Sequence, residues 1–413
     1  MENKRKLKVV VAHPQKQGSY LLSSSLFRSG FLNKYITSFY FKPFTIAHLI
    51  HFFSSKRNKE RIENRKIKGL PSQKVKVVCQ LSSLKAMYYN RKEKHVDFIN
   101  ANEKLNNKFG KTVSNYCKKN SIDVVFSSIK NSLALFKLNK KTTCINILEL
   151  SSNTPQYALS IYKKDIALFP NSTLDDEIKD YYSGHDEEYK YADAFLCPSS
   201  ITAKSLTFCG VNQKNIFIVN RCFINRNYTY TNHIFNNEHN KPLKIVYVGN
   251  ITAMKGIHHL CNTVILLENE VELFLIGTYS LDFKKPYDNY KNIHFLGKKN
   301  QTEINVFFKE CDLFVFPSLA DAVGMSALEA MYSGLPVLCS IYAGATDYIT
   351  DGVNGFVFDP MNEDDFKNKL KEIIHILSTN SGEISRLAHE TICNSTQDLY
   401  DKKVRELILS LKK

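Results

Sequence analysis

Residues 316–359 read FPSLADAVGMSALEAMYSGLPVLCSIYAGATDYITDGVNGFVFD. The run Asp312-Leu-Phe-Val-Phe316 leading into them is short, aromatic and β-branched, and Pro317-Ser318 stops it, which predicts a buried parallel strand ending in a loop. Gly324 then opens a helix whose Leu328, Met331 and Tyr332 recur at helical spacing. A strand, a small-residue turn and a helix N-terminus together offer backbone N–H groups and a partial positive charge to an anion, which makes the turn a phosphate cradle. Glu329 falls one to two turns into the helix, far enough to meet what lies beyond a phosphate, such as a ribose with two hydroxyls. Asp321 stands on the other side of the turn, either near the group that would be transferred or as a cap for the helix that follows.

Working outward, Lys244-Ile-Val-Tyr-Val-Gly249 reads as the strand that opens the second half, running into Asn250-Ile-Thr-Ala-Met-Lys255-Gly256 and a helix from Ile257 to Leu267. Strands at Glu272–Ile276 and Asn292–Leu296 follow. The first half repeats this alternation. Lys8–Ala12 is a strand, His13 to Tyr20 a loop containing Gly18, and Leu21 to Tyr35 a helical run. Further strands are expected at Val75–Cys79, Asp123–Phe126 and Thr143–Leu148. Beyond the last of these, Glu149–Tyr157 is a polar loop at a strand's carboxyl end, where side chains reach ligands in α/β folds. Asp175 to Tyr191 is acidic and aromatic, and Asp193-Ala-Phe-Leu-Cys-Pro198-Ser199 matches Asp312–Ser318 in pattern. Two matching halves predict two doubly wound domains, separated by the asparagine-rich linker Asn225–Asn240. One glycine where a dinucleotide fingerprint needs three excludes an NAD site in the first loop.

At 413 residues the chain exceeds what one core serves, and its 43% hydrophobic and 23% charged residues are ordinary for a globular protein. A formal charge of +16 suits an anionic partner. Half of that excess is concentrated: ten Lys and Arg against two Glu lie between Lys42 and Lys76. The apolar, aromatic Phe44–Phe53 precedes them. That combination fits a segment lying on an anionic membrane surface at 44–68, against the alternative of a solvated helix face following a core segment. Nucleic acid fits less well, because no aromatic residues are interleaved with the charges. Ten cysteines without CxxC or zinc spacing, and an N-terminus without a signal-peptide pattern, lead to the expectation of a reducing cytosol. No segment reaches about 18 consecutive apolar residues. His13, His258 and His259 lack metal-like spacing, so no metal is expected.

Gly249 with Lys255-Gly256, then Pro317-Ser318, Asp321, Gly324, Leu328-Glu329-Ala330-Met331, Gly334-Leu-Pro-Val337 and Asp351-Gly-Val-Asn-Gly355, resembles the retaining family 4 glycosyltransferases of the GT-B fold. The match covers essentially the whole second half; the first agrees in outline. The resemblance implies two Rossmann-like domains facing a cleft: an acceptor domain over 1–230, a nucleotide-sugar domain over 241–395, and a helix over 396–413 returning to the first. It implies that Glu329 binds the donor ribose, Asp321 the donor sugar, and Lys255 the diphosphate. Gly249, Asn250 and the N–H groups of Val323, Gly324 and Met325 complete the donor site, and Gly18 and Ser19 form an acceptor-side loop. It implies transfer from a nucleotide sugar to a glycan or lipid-linked acceptor in polysaccharide biosynthesis, with a nucleoside diphosphate released, no protein nucleophile and no cofactor or metal. Three positions depart from the family pattern: Asp321 stands for a glutamate, Asn250 for an arginine, and Thr154 lies nearest the place of a catalytic histidine. These keep a second function open, that of a weakened relative binding nucleotide or glycan within a biosynthetic complex.

Overall fold

The computed structural model describes residues 5–15, 18–92, 94–168, 186–224, 227–235, 241–267 and 269–411. Residues 175–185 of the acidic, aromatic stretch, and 225–226 and 236–240 of the expected linker, lie outside them. Strands β1 (Val9–Ala12), β2 (Leu32–Thr37), β3 (Val75–Val77), β4 (Val124–Ser128), β5 (Ile145–Glu149), β6 (Ala194–Cys197) and β7 (Ile216–Ile218) form a first sheet in the order β3-β2-β1-β4-β5-β6-β7. Strands β8 (Leu243–Val248), β9 (Val271–Ile276), β10 (Ile293–Gly297), β11 (Leu313–Phe316), β12 (Val337–Ser340) and β13 (Phe356–Phe358) form a second, in the order β10-β9-β8-β11-β12-β13. Every pairing between them is parallel. Helices cover both faces, so Val9–Ala12, Leu313–Phe316 and Val337–Ser340 are buried at every position rather than alternating.

Each sheet reverses its winding once, between β1 and β4 in the first and between β8 and β11 in the second. Ligands of doubly wound folds bind outside the carboxyl ends of the strands at such points. Gly18 follows β1, Lys255 follows β8 and Asp321 follows β11. The topology therefore carries the sequence motifs to the two switch points.

The helical run expected from Leu21 to Tyr35 is shorter in the structure. Helix α1 (Ser19–Arg28) ends before Gly30, which adopts φ +73°, a left-handed conformation that terminates helices. Leu32–Thr37 then enters the sheet as β2, paired on both sides, so tertiary pairing overrides the helical pattern. Strands β7 and β13 are three-residue edge strands, too short for a periodicity to register.

Two helices cross between the halves. The last helix, Gln397–Ser410, buries Tyr400, Val404, Leu407 and Ile408 in one cluster with Val9, Leu22 and Leu26 of the first half. Arg28 clamps it through two bonds to Asp401, at 2.6 and 2.8 Å. In the other direction, the helix Pro155–Leu168 buries Tyr157, Ala158, Ile161 and Tyr162 in the core of the second half. Between these crossings, Asp347 accepts from the Ser200 N–H at 2.8 Å and the Asn220 amide at 2.6 Å. No helix among the described residues is long and apolar enough to cross a membrane.

Candidate functional site

The β11 strand delivers Pro317 and Ser318 to a tight loop that needs two glycines to close. Gly256, at φ +66°, lies so close to this loop that a β-carbon there would fall 2.0 Å from the Pro317 carbonyl oxygen. Gly324, at φ +76°, caps the helix Met325–Tyr332; a β-carbon would meet the Phe316 ring and Ala345 at 3.0 Å. Both positions combine left-handed backbone with close approach, so only glycine fits them without strain. The Asp321 N–H donates to Tyr342 O at 3.2 Å and the Gly344 N–H to Asp321 O at 2.9 Å, which seats the loop on the neighbouring strand end.

Within this frame Asp321 is the centre of a closed polar cluster. Its Oδ1 accepts from the N–H groups of Val323 at 3.0 Å and Gly324 at 2.7 Å. Its Oδ2 accepts from Lys255 Nζ at 2.6 Å. Burial pulls the carboxyl pKa upward, but the Lys255 ammonium and the two N–H donors outweigh it and hold the group below the usual carboxylate range. The N–H groups of Val323 and Gly324, expected to meet sugar or phosphate, are thus engaged by the protein's own carboxylate. The missing methylene explains this: an aspartate is short enough to hydrogen-bond backbone two and three residues ahead. The anion cradle is present, and the anion in it is Asp321.

The other donor-side residues lie at the end of β8 and on the helix after β11. Gly249 and Asn250 stand at the carboxyl end of β8; Asn250 Oδ1 accepts from the Thr278 hydroxyl at 2.8 Å, and the Asn250 carbonyl from the Tyr247 hydroxyl at 2.9 Å. Met325 lines the cleft. Glu329 is half-buried on the helix Met325–Tyr332, five residues beyond Gly324. Thr154 is corrected by the structure. It is fully buried in the first half, its hydroxyl donates to Ser205 O at 2.9 Å, and its N–H donates to Ser205 Oγ at 3.0 Å, so it does not reach the cleft. Ser19 is likewise buried at the start of α1, while its neighbour Gly18 does line the cleft.

A cleft of about 1000 Å³ separates the switch points, with Gly18, Tyr20, Lys66, Lys68 and Arg221 on one wall and Asp321 to Met325 on the other. Most of the first wall was not legible as a site. Lys66 and Lys68 lie inside the basic run, and Arg221 carries no motif. Glu149, the last residue of β5 and the first of the polar loop, is buried beneath Gly18. A β-carbon on Gly18 would fall 1.9 Å from Arg221 Nη2 and 3.2 Å from Glu149 Oε1, so the glycine leaves the room that both side chains use. Burial pushes the Glu149 carboxyl up to about 7, against the opposing pull of Arg221 and a hydrogen bond from Ser128.

Asp165, His258 and His259 also come together, and they are the one group of three metal-ligating side chains close enough to share an ion among the described residues. His259 Nε2 lies 2.5 Å from Asp165 Oδ1, and His258 Nε2 3.1 Å from Oδ2. Two ligands each ~2.0–2.1 Å from a tetrahedral zinc stand about 3.3 Å apart. The 2.5 Å contact is instead that of a charge-assisted hydrogen bond. The two imidazoles hold the helix Pro155–Leu168 to the helix Ile257–Ile265 just beyond Lys255.

Residues 230–381 match the family of glycosyl transferases group 1. The chain is 27% identical over 241 residues to an uncharacterized glycosyltransferase of Methanocaldococcus jannaschii, covering 56% of this chain and 62% of that one. It is 28% identical over 199 residues to a sulfoquinovosyl transferase of Arabidopsis thaliana, covering 45% of this chain and 39% of that one. The chain thus spans less than two thirds of either relative. Among solved structures, an Anabaena protein in complex with UDP-glucose superposes over 98% of this chain and all of its own, with a TM-score of 0.59 at 14% identity. The fold is GT-B, two facing doubly wound domains.

Proposed function

We propose that this chain is a retaining, metal-independent glycosyltransferase that moves a sugar from a nucleotide sugar to a glycan or lipid-linked acceptor and releases the nucleoside diphosphate. The observation that carries the reading is the cradle after β11: a lysine, Lys255, and the N-terminus of the helix Met325–Tyr332 converge on one anion position at the switch point of the second sheet. Departure of a diphosphate concentrates negative charge on its leaving oxygen, and donors at that place lower the barrier once Asp321 yields them. In the reaction the anomeric C–O bond to the diphosphate breaks, the acceptor oxygen bonds to the same carbon on the same face, and the acceptor's proton passes to the departing oxygen. Asp321 orients the sugar hydroxyls, and Glu329, farther along the helix, accepts from the ribose. The family match over 230–381 and the glycosyltransferase relatives support this reading, as does the UDP-glucose bound by the Anabaena neighbour.

The reading is tested by assaying a panel of nucleotide sugars for binding, hydrolysis and transfer with the native protein and Glu329→Ala. Loss of hydrogen bonds to both ribose hydroxyls weakens donor binding at least about tenfold. Equal binding by the variant, or no nucleotide bound by the native protein, overturns the assignment. A second reading, a nucleotide-binding relative without turnover, is favoured by one observation: Asp321 occupies the cradle's own donors. Tight nucleotide binding with neither hydrolysis nor transfer would decide for it.

The protein also acts as a peripheral membrane enzyme in this proposal, at a cytoplasmic surface. Helix α2 (Ile46–Phe52) buries Ala47 but leaves Leu49 and Phe52 exposed, with Phe44 and Phe53 exposed at its ends. Helix α3 (Lys56–Glu63) follows with Ile62 as its buried residue and a row of cations outside.

A further inference from the structure

From the first wall of the cleft we infer that the acceptor carries an anionic group, a phosphate or diphosphate, held by Lys66, Lys68 and Arg221. This rests on the glycosyltransferase reading for the word acceptor, though not for the anion site itself.

The backbone that carries the three cations is held by the surrounding structure. The loop after α3 is pinned from both sides: the Tyr20 hydroxyl donates to Arg65 O at 2.8 Å, and the Ile67 N–H donates to the Tyr40 hydroxyl at 2.9 Å. Ile67 and Leu70 are buried, so the loop has a core anchor between and after the lysines. Lys66 and Lys68, flanking buried Ile67, both line the cleft and are themselves exposed. Arg221 is held through its carbonyl, which accepts from the Tyr348 hydroxyl at 2.5 Å and the Ser395 hydroxyl at 3.2 Å. Its guanidinium fills the space over Gly18.

Their charge is not spent elsewhere. Among the described residues neither Lys66 nor Lys68 forms an ion pair, whereas Arg28 in the same cleft is consumed by Asp401 and Lys255 opposite by Asp321. Glu149 and the Arg221 guanidinium flank Gly18, and among the described residues no ion pair joins the two. Three positive groups line this wall of the cleft, and an anion there would accept charge-assisted hydrogen bonds from them. Their place fits an acceptor: they stand across the cleft from Asp321 and Gly324, where the transferred sugar would lie.

The test measures binding by thermal shift and calorimetry with four probes: inorganic pyrophosphate, glucose 6-phosphate, dodecyl phosphate below its micelle concentration, and neutral dodecyl maltoside. The proteins are native, Lys66→Ser/Lys68→Ser and Arg221→Gln. The native protein binds at least one phosphate probe and ignores the maltoside, and either variant weakens that binding about tenfold or more, each lost charge-assisted bond accounting for such a factor. Binding of dodecyl phosphate alone assigns the anion to a lipid headgroup; binding of glucose 6-phosphate or pyrophosphate assigns it to a soluble phosphate. Circular dichroism of each variant checks that it is folded, and the nucleotide selected by the donor panel is titrated alongside. If the phosphate probes bind the variants as well as the native protein, or bind none of them while the nucleotide binds, the anion site is wrong and the glycosyltransferase reading stands. If the phosphate probes bind in a lysine-dependent way and no nucleotide binds, the anion site stands and the glycosyltransferase reading fails.

Discussion

In the proposed reaction Asp321 competes with the diphosphate for the same donors. It holds Lys255 and two backbone N–H groups, which are the donors a diphosphate would use in the proposed reaction. A nucleotide must therefore displace this carboxylate before the cradle can serve it. Replacing Asp321 by Ala releases all three donors. The variant is expected to bind the nucleoside diphosphate about tenfold more tightly, since charge-assisted bonds of ~1.5–3 kcal/mol no longer have to be exchanged. It is also expected to transfer sugar far more slowly, because the carboxylate that orients the hydroxyls is gone, and to lose about 1–3 kcal/mol of stability with its mostly buried ion pair. Isothermal titration and initial rates separate the two effects. Weaker diphosphate binding by Asp321→Ala would mean that the carboxylate supports the donor rather than excluding it. The spacing of Asp321 and Glu329 was legible in the sequence. The sequence left open whether Asp321 reaches a ligand or caps the turn, and the choice depends on where Lys255 stands, 66 residues earlier.

Among the elements, α2 and α3 divide one stretch of sequence between a buried face and an exposed one. The run 44–68 read either as a membrane-surface segment or as a core segment with a solvated face. The structure divides it: Ala47 and Ile62 enter a small cluster with Phe39, α2 and α3 carry exposed aromatics and cations, and Lys66 and Lys68 turn into the cleft. Substituting Phe52→Ser/Phe53→Ser removes two exposed rings without touching that cluster. Sedimentation with vesicles containing anionic lipid should then fall at least about tenfold, since each ring contributes on the order of 1.5–3 kcal/mol when buried, while thermal stability stays unchanged. Retention of full binding by this variant would remove α2 as the membrane contact. The strands at the sheet centres were readable because burial on both faces makes them continuous apolar runs. Leu32–Thr37 was not, since Asn33 and Lys34 interrupt the run and only pairing with β1 and β3 makes it a strand. Thr154 was misplaced for a related reason: a polar loop at a strand end also needs residues to close it against the next helix, and Thr154 does that with Ser205.

At the scale of the molecule, Glu149 lies where the first sheet, the segment crossing between the halves and the returning helix meet, with Arg221 above it and Tyr400 nearby. Its carboxyl is pushed up to about 7 by burial, above the ~4.3 of an unfolded chain. Between those two values the folded state binds more protons than the unfolded state, so this group's contribution to stability is fully present below about 4.3 and is lost as pH rises toward 7. Glu188, also pushed up to about 7 by burial, acts in the same direction. His233, drawn down to about 4 by burial, acts in the opposite one: its contribution is lost as pH falls from the ordinary ~6.5 toward 4. The net profile of the native protein thus mixes signs, and the informative quantity is the difference from Glu149→Gln, in which only one term changes. The glutamine cannot ionise. Relative to the native protein the variant should gain about 1–3 kcal/mol on going from pH 5 to pH 8, since the part of the window between pH 5 and about 7 contributes at most ~1.36 kcal/mol for each pH unit. Urea unfolding at pH 5, 6, 7 and 8 measures that difference. A constant offset between the two proteins across this range would mean that Glu149 is ionised throughout, paired with Arg221, and that the cations lining the cleft are more nearly neutralised than the anion site requires.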